Sequence, residues 1–237
     1  MKNLKTEAEK YEQLRKLGQE LHIPMPEHFF EFEVRDKSGK VIQTLKQRSH
    51  SWVRNAYNLL LSTMASKDID DAGVFGAGLL SIKLTTGAII GGAFGTNVAG
   101  QSTFETVSFG YGGGAGAATQ GILVGSDDTA ESFEDYVLLG PIAEGAGAGQ
   151  LNHVAMDAPT KSYDEPTKTW TITRIRYFNN NSAGVVNVNE VCQVTRGYID
   201  GGYELYIVSR DKLGATVIVP ATGQLKVTYV INLTYPS

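Results

Sequence analysis

Two short runs of carboxylates are the densest potential chemistry in this chain. Asp68, Asp70 and Asp71 form one; Asp127, Asp128, Glu131, Glu134 and Asp135, set around Phe133 and Tyr136, form the other. Hard oxygen ligands at such spacing suit calcium, but neither run follows the calcium loop with its central glycine and terminal glutamate. The expectation is solvated acidic turns with no metal bound. A carboxylate pair could also cleave a glycosidic bond, since that function is defined by distance in space; nothing in the chain favours it. Bases and nucleophiles are sparser. His22, His28, His50 and His153 show no His-x-His or His-x-x-x-His spacing that would hold a metal, and His50 and His153 read as surface or interface residues. No Gly-x-Ser-x-Gly elbow is present. Cys192 alternates within Glu190-Val191-Cys192-Gln193-Val194, which predicts a sheet-lying thiol with a packing role.

Nucleotide signatures fail in the same way. Gly39-Lys40 is followed by Val41, not by the Ser or Thr that a phosphate-binding loop needs for its magnesium. Gly112-x-Gly114-x-x-Ala117 matches the loose dinucleotide fingerprint, but no βαβ unit surrounds it. The sequence therefore predicts no catalytic residues, no cofactor and no metal. If the task is binding, Tyr198, Tyr203 and Tyr206, near Asp200-Gly201-Gly202, are possible ligand-facing aromatics; the competing reading makes them rim or core residues of a sheet.

The elements that must position these residues are mostly strands. Phe30–Arg35 alternates strictly, with aromatics on one face and charges on the other, and Asp36-Lys37-Ser38-Gly39 turns it into a second strand at Lys40–Leu45. Ser51–Ala65 predicts a helix whose shared face holds Trp52, Val53, Ala56, Tyr57, Leu60 and Met64, capped by Ser49 or Ser51. Short β-prone pieces follow at Leu79–Thr85 and Phe104–Phe109, and Gly121–Gly125 reads as a buried strand. From Lys168 onward, strands at 170–177, 185–195, 203–210, 215–219 and 225–233 are separated by turns that include Asp211–Gly214. The fold class is mainly β, an antiparallel β-sandwich or jelly-roll-like domain with an N-terminal helical arm and one further helix. The arm is residues 1–26; the β-domain is 27–237, with the helix at 51–65 and a glycine-rich insert at 73–121.

In the arm, Leu4, Ala8, Tyr11, Leu14, Leu17 and Leu21 recur at spacings of three and four, one stripe of a helix with charges around it. Gly18 weakens its last turn, and Pro24 and Pro26 end it. A helix this short is marginal alone, so the stripe needs a partner. Either it packs on its own domain, or it docks on a neighbouring subunit. The second reading makes Leu4, Tyr11, Leu14, Leu17 and Leu21 an assembly interface.

Composition narrows the class further. The 237 residues are 42% hydrophobic and 19% charged, with a net charge of −4. That argues against disorder, and the slight acidity argues against nucleic-acid binding. Apolar runs such as Val53–Met64 are broken by Arg54, Asn55 and Asn58, so no membrane partner is expected. Lys2–Glu20 interleaves its charges and does not resemble a secretion signal. One cysteine excludes a disulfide framework.

Several segments together resemble virion structural proteins of tailed bacteriophages. Gly121-Ile122-Leu123-Val124-Gly125-Ser126-Asp127-Asp128-Thr129-Ala130 leads into Ser132-Phe133-Glu134-Asp135-Tyr136-Val137-Leu138, then Ile142-Ala143-Glu144-Gly145 and Gly149-Gln150-Leu151. Phe178-Asn179-Asn180-Asn181-Ser182-Ala183-Gly184, Val188-Asn189-Glu190-Val191, Ser209-Arg210-Asp211 and Gly223–Tyr229 continue the likeness, which spans about residues 120–235. Related β-modules occur in capsid decoration proteins, neck or collar proteins and tail fibres. The resemblance implies a non-enzymatic virion component, made in the host bacterial cytoplasm, whose partners are copies of itself and capsid, neck or tail proteins. It transfers no catalytic residue. The alternatives are a receptor- or carbohydrate-binding module at a virion tip and, less favoured, a glycan or cell-wall hydrolase.

Overall fold

Alternating burial organises the first hairpin. The computed structural model describes residues 6–65, 74–77, 79–90, 110–199 and 202–236. In strand β1 (Met25–Arg35), Phe30, Phe32 and Val34 are almost fully buried, while Glu31 and Glu33 face outward. Asp36 Oδ1 accepts from the backbone N–H of Ser38 and Lys40, and Gly39 takes φ +82°, which returns the chain as β2 (Val41–Arg48). Helix α1 (Glu7–Glu20) precedes the hairpin and α2 (Arg54–Ala65) follows it. Then come β3 (Ile82–Lys83), β4 (Ile89–Ile90), β5 (Gly121–Gly125), β6 (Asn152–His153), β7 (Thr160–Asp164), β8 (Thr169–Asn179), β9 (Val186–Ile199), β10 (Gly202–Val219) and β11 (Gln224–Thr234).

The strands form two main antiparallel sheets. One runs β2-β1-β11-β8-β6, with β7 also on β8; the other runs β10-β9-β5. Phe30, Phe32, Phe178, Leu225 and Val227 of the first meet Ile122, Val124, Val188, Val217 and Val219 of the second. Each large apolar side chain removed from water here contributes about 1.5–3 kcal/mol. The mainly β fold with two helices and antiparallel sheets is the architecture the alternation implies.

Two expectations need correction. Asp211–Gly214 is not a turn: β10 runs through it, with a register irregularity against β9 between Lys212 and Val217. The extra residues bend towards β2, where Gln47 accepts from Gly214 N–H and donates to Lys212 O, and Gln43 accepts from Ile218 N–H and donates to Thr216 O. Two glutamines thus tie the edges of the two sheets together, which satisfies backbone groups an open edge would expose. At α2 the buried face is only partly the apolar one expected: Val53 and Ala56 are buried, but Tyr57 and Leu60 stand about half exposed while Asn55 and Asn58 are buried. Asn55 donates to Lys83 O and Ile207 O and accepts from Lys83 N–H; Asn58 donates to Leu79 O and Ser81 O. The helix is fastened to the short β3 segment by amide side chains. Of the glycine-rich insert, 73, 78 and 91–109, including Phe104–Phe109, lie outside the described residues.

Candidate functional site

The arm is built by a capping box and held by charge. Thr6 Oγ1 accepts from Glu9 N–H at 3.3 Å and the Glu9 carboxylate accepts from Thr6 N–H at 2.7 Å, which satisfies two free donors of α1. The helix meets the outer face of β1 and β2 through Tyr11, Arg15 and Gly18. The Arg48 guanidinium lies 3.7 Å over the Tyr11 ring, and Arg15 and Arg48 both bind the carboxylate of Glu27. Burial alone would raise the Glu27 carboxyl, but the two arginines hold it below its ordinary value. A Cβ at Gly18 would stand 2.6 Å from Met25 Cγ, so only glycine lets the helix come this close.

The leucine stripe is not this seam. Leu14, Leu17 and Leu21 lie about 90° round the helix from the seam of Tyr11, Arg15 and Gly18. They are 45%, 48% and 55% exposed, and Ile23 beside them is 51% exposed. The arm packs on its own domain through Tyr11, and the leucines are left uncovered in the single chain. Leu4 lies outside the described residues.

The three tyrosines do not form one face. Tyr206 is buried, which corrects its reading as a ligand-facing residue: it lies over Gly197, where a Cβ would stand 2.7 Å from its hydroxyl oxygen. Tyr203 is 46% exposed beneath Arg196, 5.7 Å from its ring. The side chain of Tyr198 lies outside the described residues.

The acidic turn 126–136 is tied to the interior by an arginine that the sequence does not flag. Arg210 in β10 is fully buried. Its Nε donates to Glu190 Oε2 at 2.7 Å, its Nη1 to Asp135 Oδ2 at 2.9 Å and its Nη2 to Thr129 O at 3.1 Å. Burial pulls the guanidinium pKa down, but Glu190 and Asp135 outweigh that and raise it. Glu190, equally buried, also accepts from Gly140 N–H at 2.6 Å. Glu134 binds Arg54 through both carboxylate oxygens, and Phe133 O accepts from Arg54 N–H at 2.8 Å. The turn is thus pinned to both β10 and the start of α2. Asp68, Asp70 and Asp71 lie outside the described residues. Among the described residues no three His, Cys, Asp or Glu side chains gather as a metal site, and no helix is long and apolar enough to cross a membrane.

The pinned turn and the start of α2 enclose an open cleft of about 350 Å³. Its apolar wall is Trp52, Tyr57 and Phe133; His50, Glu131 and Ser132 line it with polar groups. Trp52 meets Tyr57 edge-on at 6.0 Å, and Tyr57 meets Phe133 at 5.7 Å. The stretch Ser49–Trp52 is anchored behind it, since Ser49 Oγ and His50 N–H donate to the buried Asp211 at 2.8 and 2.9 Å. Desolvation raises the Asp211 carboxyl in spite of these bonds.

The histidines divide. His50 is exposed, with Nε2 3.1 Å from Glu7 Oε1. His153 is buried edge-on against Phe178, not on the surface as expected, because β6 lays it inside the first sheet. His28 is buried and stacked on Trp52 at 4.4 Å, and burial, opposed by the charge of Glu27, pushes its pKa down to about 4. Below about pH 6.5 the unfolded chain takes a proton that folded His28 refuses, so stability falls until about pH 4. The total is about 3 kcal/mol. Melting curves from pH 7 to pH 4 should therefore descend less steeply for His28→Phe than for the native chain; parallel descents would remove His28 as the cause. Cys192 is buried as expected, and burial pushes its thiol pKa up.

Comparison with protein-family models, with curated proteins and with solved structures finds no match to this chain.

Proposed function

We propose that this chain is a non-enzymatic structural protein of a tailed-bacteriophage virion, which associates with copies of itself and attaches to the capsid, neck or tail. The observation that carries the reading is the arm: α1 is fixed to its own domain by Tyr11, Arg15 and Gly18, yet presents Leu14, Leu17, Leu21 and Ile23 to solvent. A contiguous apolar stripe on a rigidly held helix marks a protein contact. The same chain carries a receiving surface, an apolar groove of about 350 Å³ between α2 and the sheet, lined by Leu59, Leu60, Ile172 and Ile231. The leucine stripe of one copy in the groove of the next makes a head-to-tail contact, the kind that closes into rings. The resemblance of residues 120–235 to phage virion modules supplies the setting.

Deleting residues 1–23 leaves the Arg48–Glu27 pair and both sheets intact, so the truncated chain should keep a cooperative melt and its strand signal. Virions assembled with it should lose the protein. Full incorporation of the truncated chain would overturn the reading.

A further inference from the structure

The cleft beside α2 has a composition that assembly does not require. Tyr57 and Phe133 are 49% and 46% exposed, and they reach the cleft from two different elements. Arg54, in the first turn of α2, binds Glu134 and Phe133 O and lies 4.7 Å over the Phe133 ring, and Tyr57 sits on α2 between the rings of Trp52 and Phe133. Two exposed rings fixed side by side, with Trp52 continuing the wall, are a preorganised apolar platform.

The polar groups around the platform have hydrogen-bonding capacity to spare. Ser132 Oγ accepts from Glu134 N–H at 3.2 Å, which leaves its own proton to donate. The Glu131 carboxylate accepts one backbone bond, from Lys212 N–H at 3.4 Å, and can accept more. His50 bonds Glu7 through Nε2 alone. The rings touch one another and do not face across a gap, so they make a wall, not the cage that takes a quaternary ammonium group. An apolar wall of tilted rings with acceptors and donors at its edge fits a molecule with one C–H face and a ring of hydroxyls.

We propose that this cleft binds a hexose unit of a neutral glycan, its C–H face on Tyr57 and Phe133 and its hydroxyls on Glu131, Ser132 and His50. The carboxylates of Glu131 and Glu7 at the edge disfavour an anionic sugar. The volume admits one residue of a chain that continues into solvent, and affinity for so small a ligand is millimolar.

The test uses the full chain carrying Trp170→Phe, which leaves Trp52 as the only tryptophan. Its fluorescence is followed during titration with maltotriose, chitotriose and lactose, with glucuronic acid as the anionic control. The expected result is a saturable change with at least one neutral sugar and a weaker one with glucuronic acid. Tyr57→Ala and Phe133→Ala should each weaken binding about tenfold or more, with melting temperature preserved because both rings are exposed. No saturable change with any neutral sugar, tighter binding of glucuronic acid, or unaltered binding in both alanine variants would overturn the proposal. Leu14→Asp, which should disrupt assembly, should leave the titration unchanged, so the two readings fail separately.

Discussion

Replacing Arg210 by methionine should lower the stability of the β-domain by about 3–5 kcal/mol, the cost of leaving a buried charge without its partner. The stranded charge is Glu190, fully buried, whose carboxylate otherwise receives Arg210 Nε at 2.7 Å and the N–H groups of Gly140 and Leu139. Expressed as a melting temperature, the loss is about 10 °C for a chain of this size. Arg210 also holds Asp135 and the Thr129 carbonyl, so the acidic turn should become the first site of proteolysis. The double variant Arg210→Met, Glu190→Gln should recover part of the loss, since it removes the unpaired charge. A single variant that melts within a degree or two of the native chain would show that the pair is not what holds the turn. Sugar binding should fall with it, because Glu131, Ser132 and Phe133 ride on that turn.

The second large effect is expected at Arg176. This guanidinium, fully buried in β8, donates to five backbone carbonyls: Gly114, Ala117, Gln120, Ile122 and Val154, at 2.6–3.2 Å. None of these acceptors is a carboxylate, and burial pulls its pKa down to about 10. The planar fork gathers the described end of the glycine-rich insert against the sheet, and Gly113 lets the chain pass, since a Cβ there would stand 2.7 Å from the Gln120 carbonyl oxygen and 3.2 Å from Nη1. Arg176→Met strands several carbonyls at once and should cost at least about 3 kcal/mol. Arg176→Lys should recover little, because a point charge with three donors cannot span five acceptors. Hydrogen exchange would separate the two arginines: Arg176→Met should deprotect residues 110–122, and Arg210→Met residues 126–140. Exchange unchanged at 110–122 would contradict the carbonyl cage.

Strand identity was legible wherever one face is dry and the other wet. Phe30, Phe32 and Val34 declare β1 by alternation, and Gly121–Gly125 declares β5 as a short run buried on both faces. The arginines were not legible as structural hubs, because a charged residue on a strand ordinarily faces water. Parity does carry a signal for Arg176, which shares its face with the core residue Phe178, and for Glu190, which follows Val186 and Val188. At α2 the apolar pattern located Val53 and Ala56 in the core but misplaced Tyr57 and Leu60, because the amides of Asn55 and Asn58 turn inward to bond the backbone of 79–83 and β10. The stripe on α1 was visible in the spacing of its leucines. Its separation from the docking seam was not, because that depends on the close approach at Gly18 and on Arg48 covering Tyr11. The cleft was invisible for a similar reason: Trp52 and Tyr57 lie about eighty residues from Phe133, and only the fold brings them together.

The central claim is that the exposed leucines of a docked helix join one copy of this chain to another. The most direct measurement is the mass of the full chain by light scattering, native against the Leu14→Asp, Leu17→Asp double variant. The native chain should be a multimer and the variant a monomer that still melts cooperatively, because neither leucine is buried in the single chain. A native monomer, or a variant that keeps the multimer mass, would contradict it.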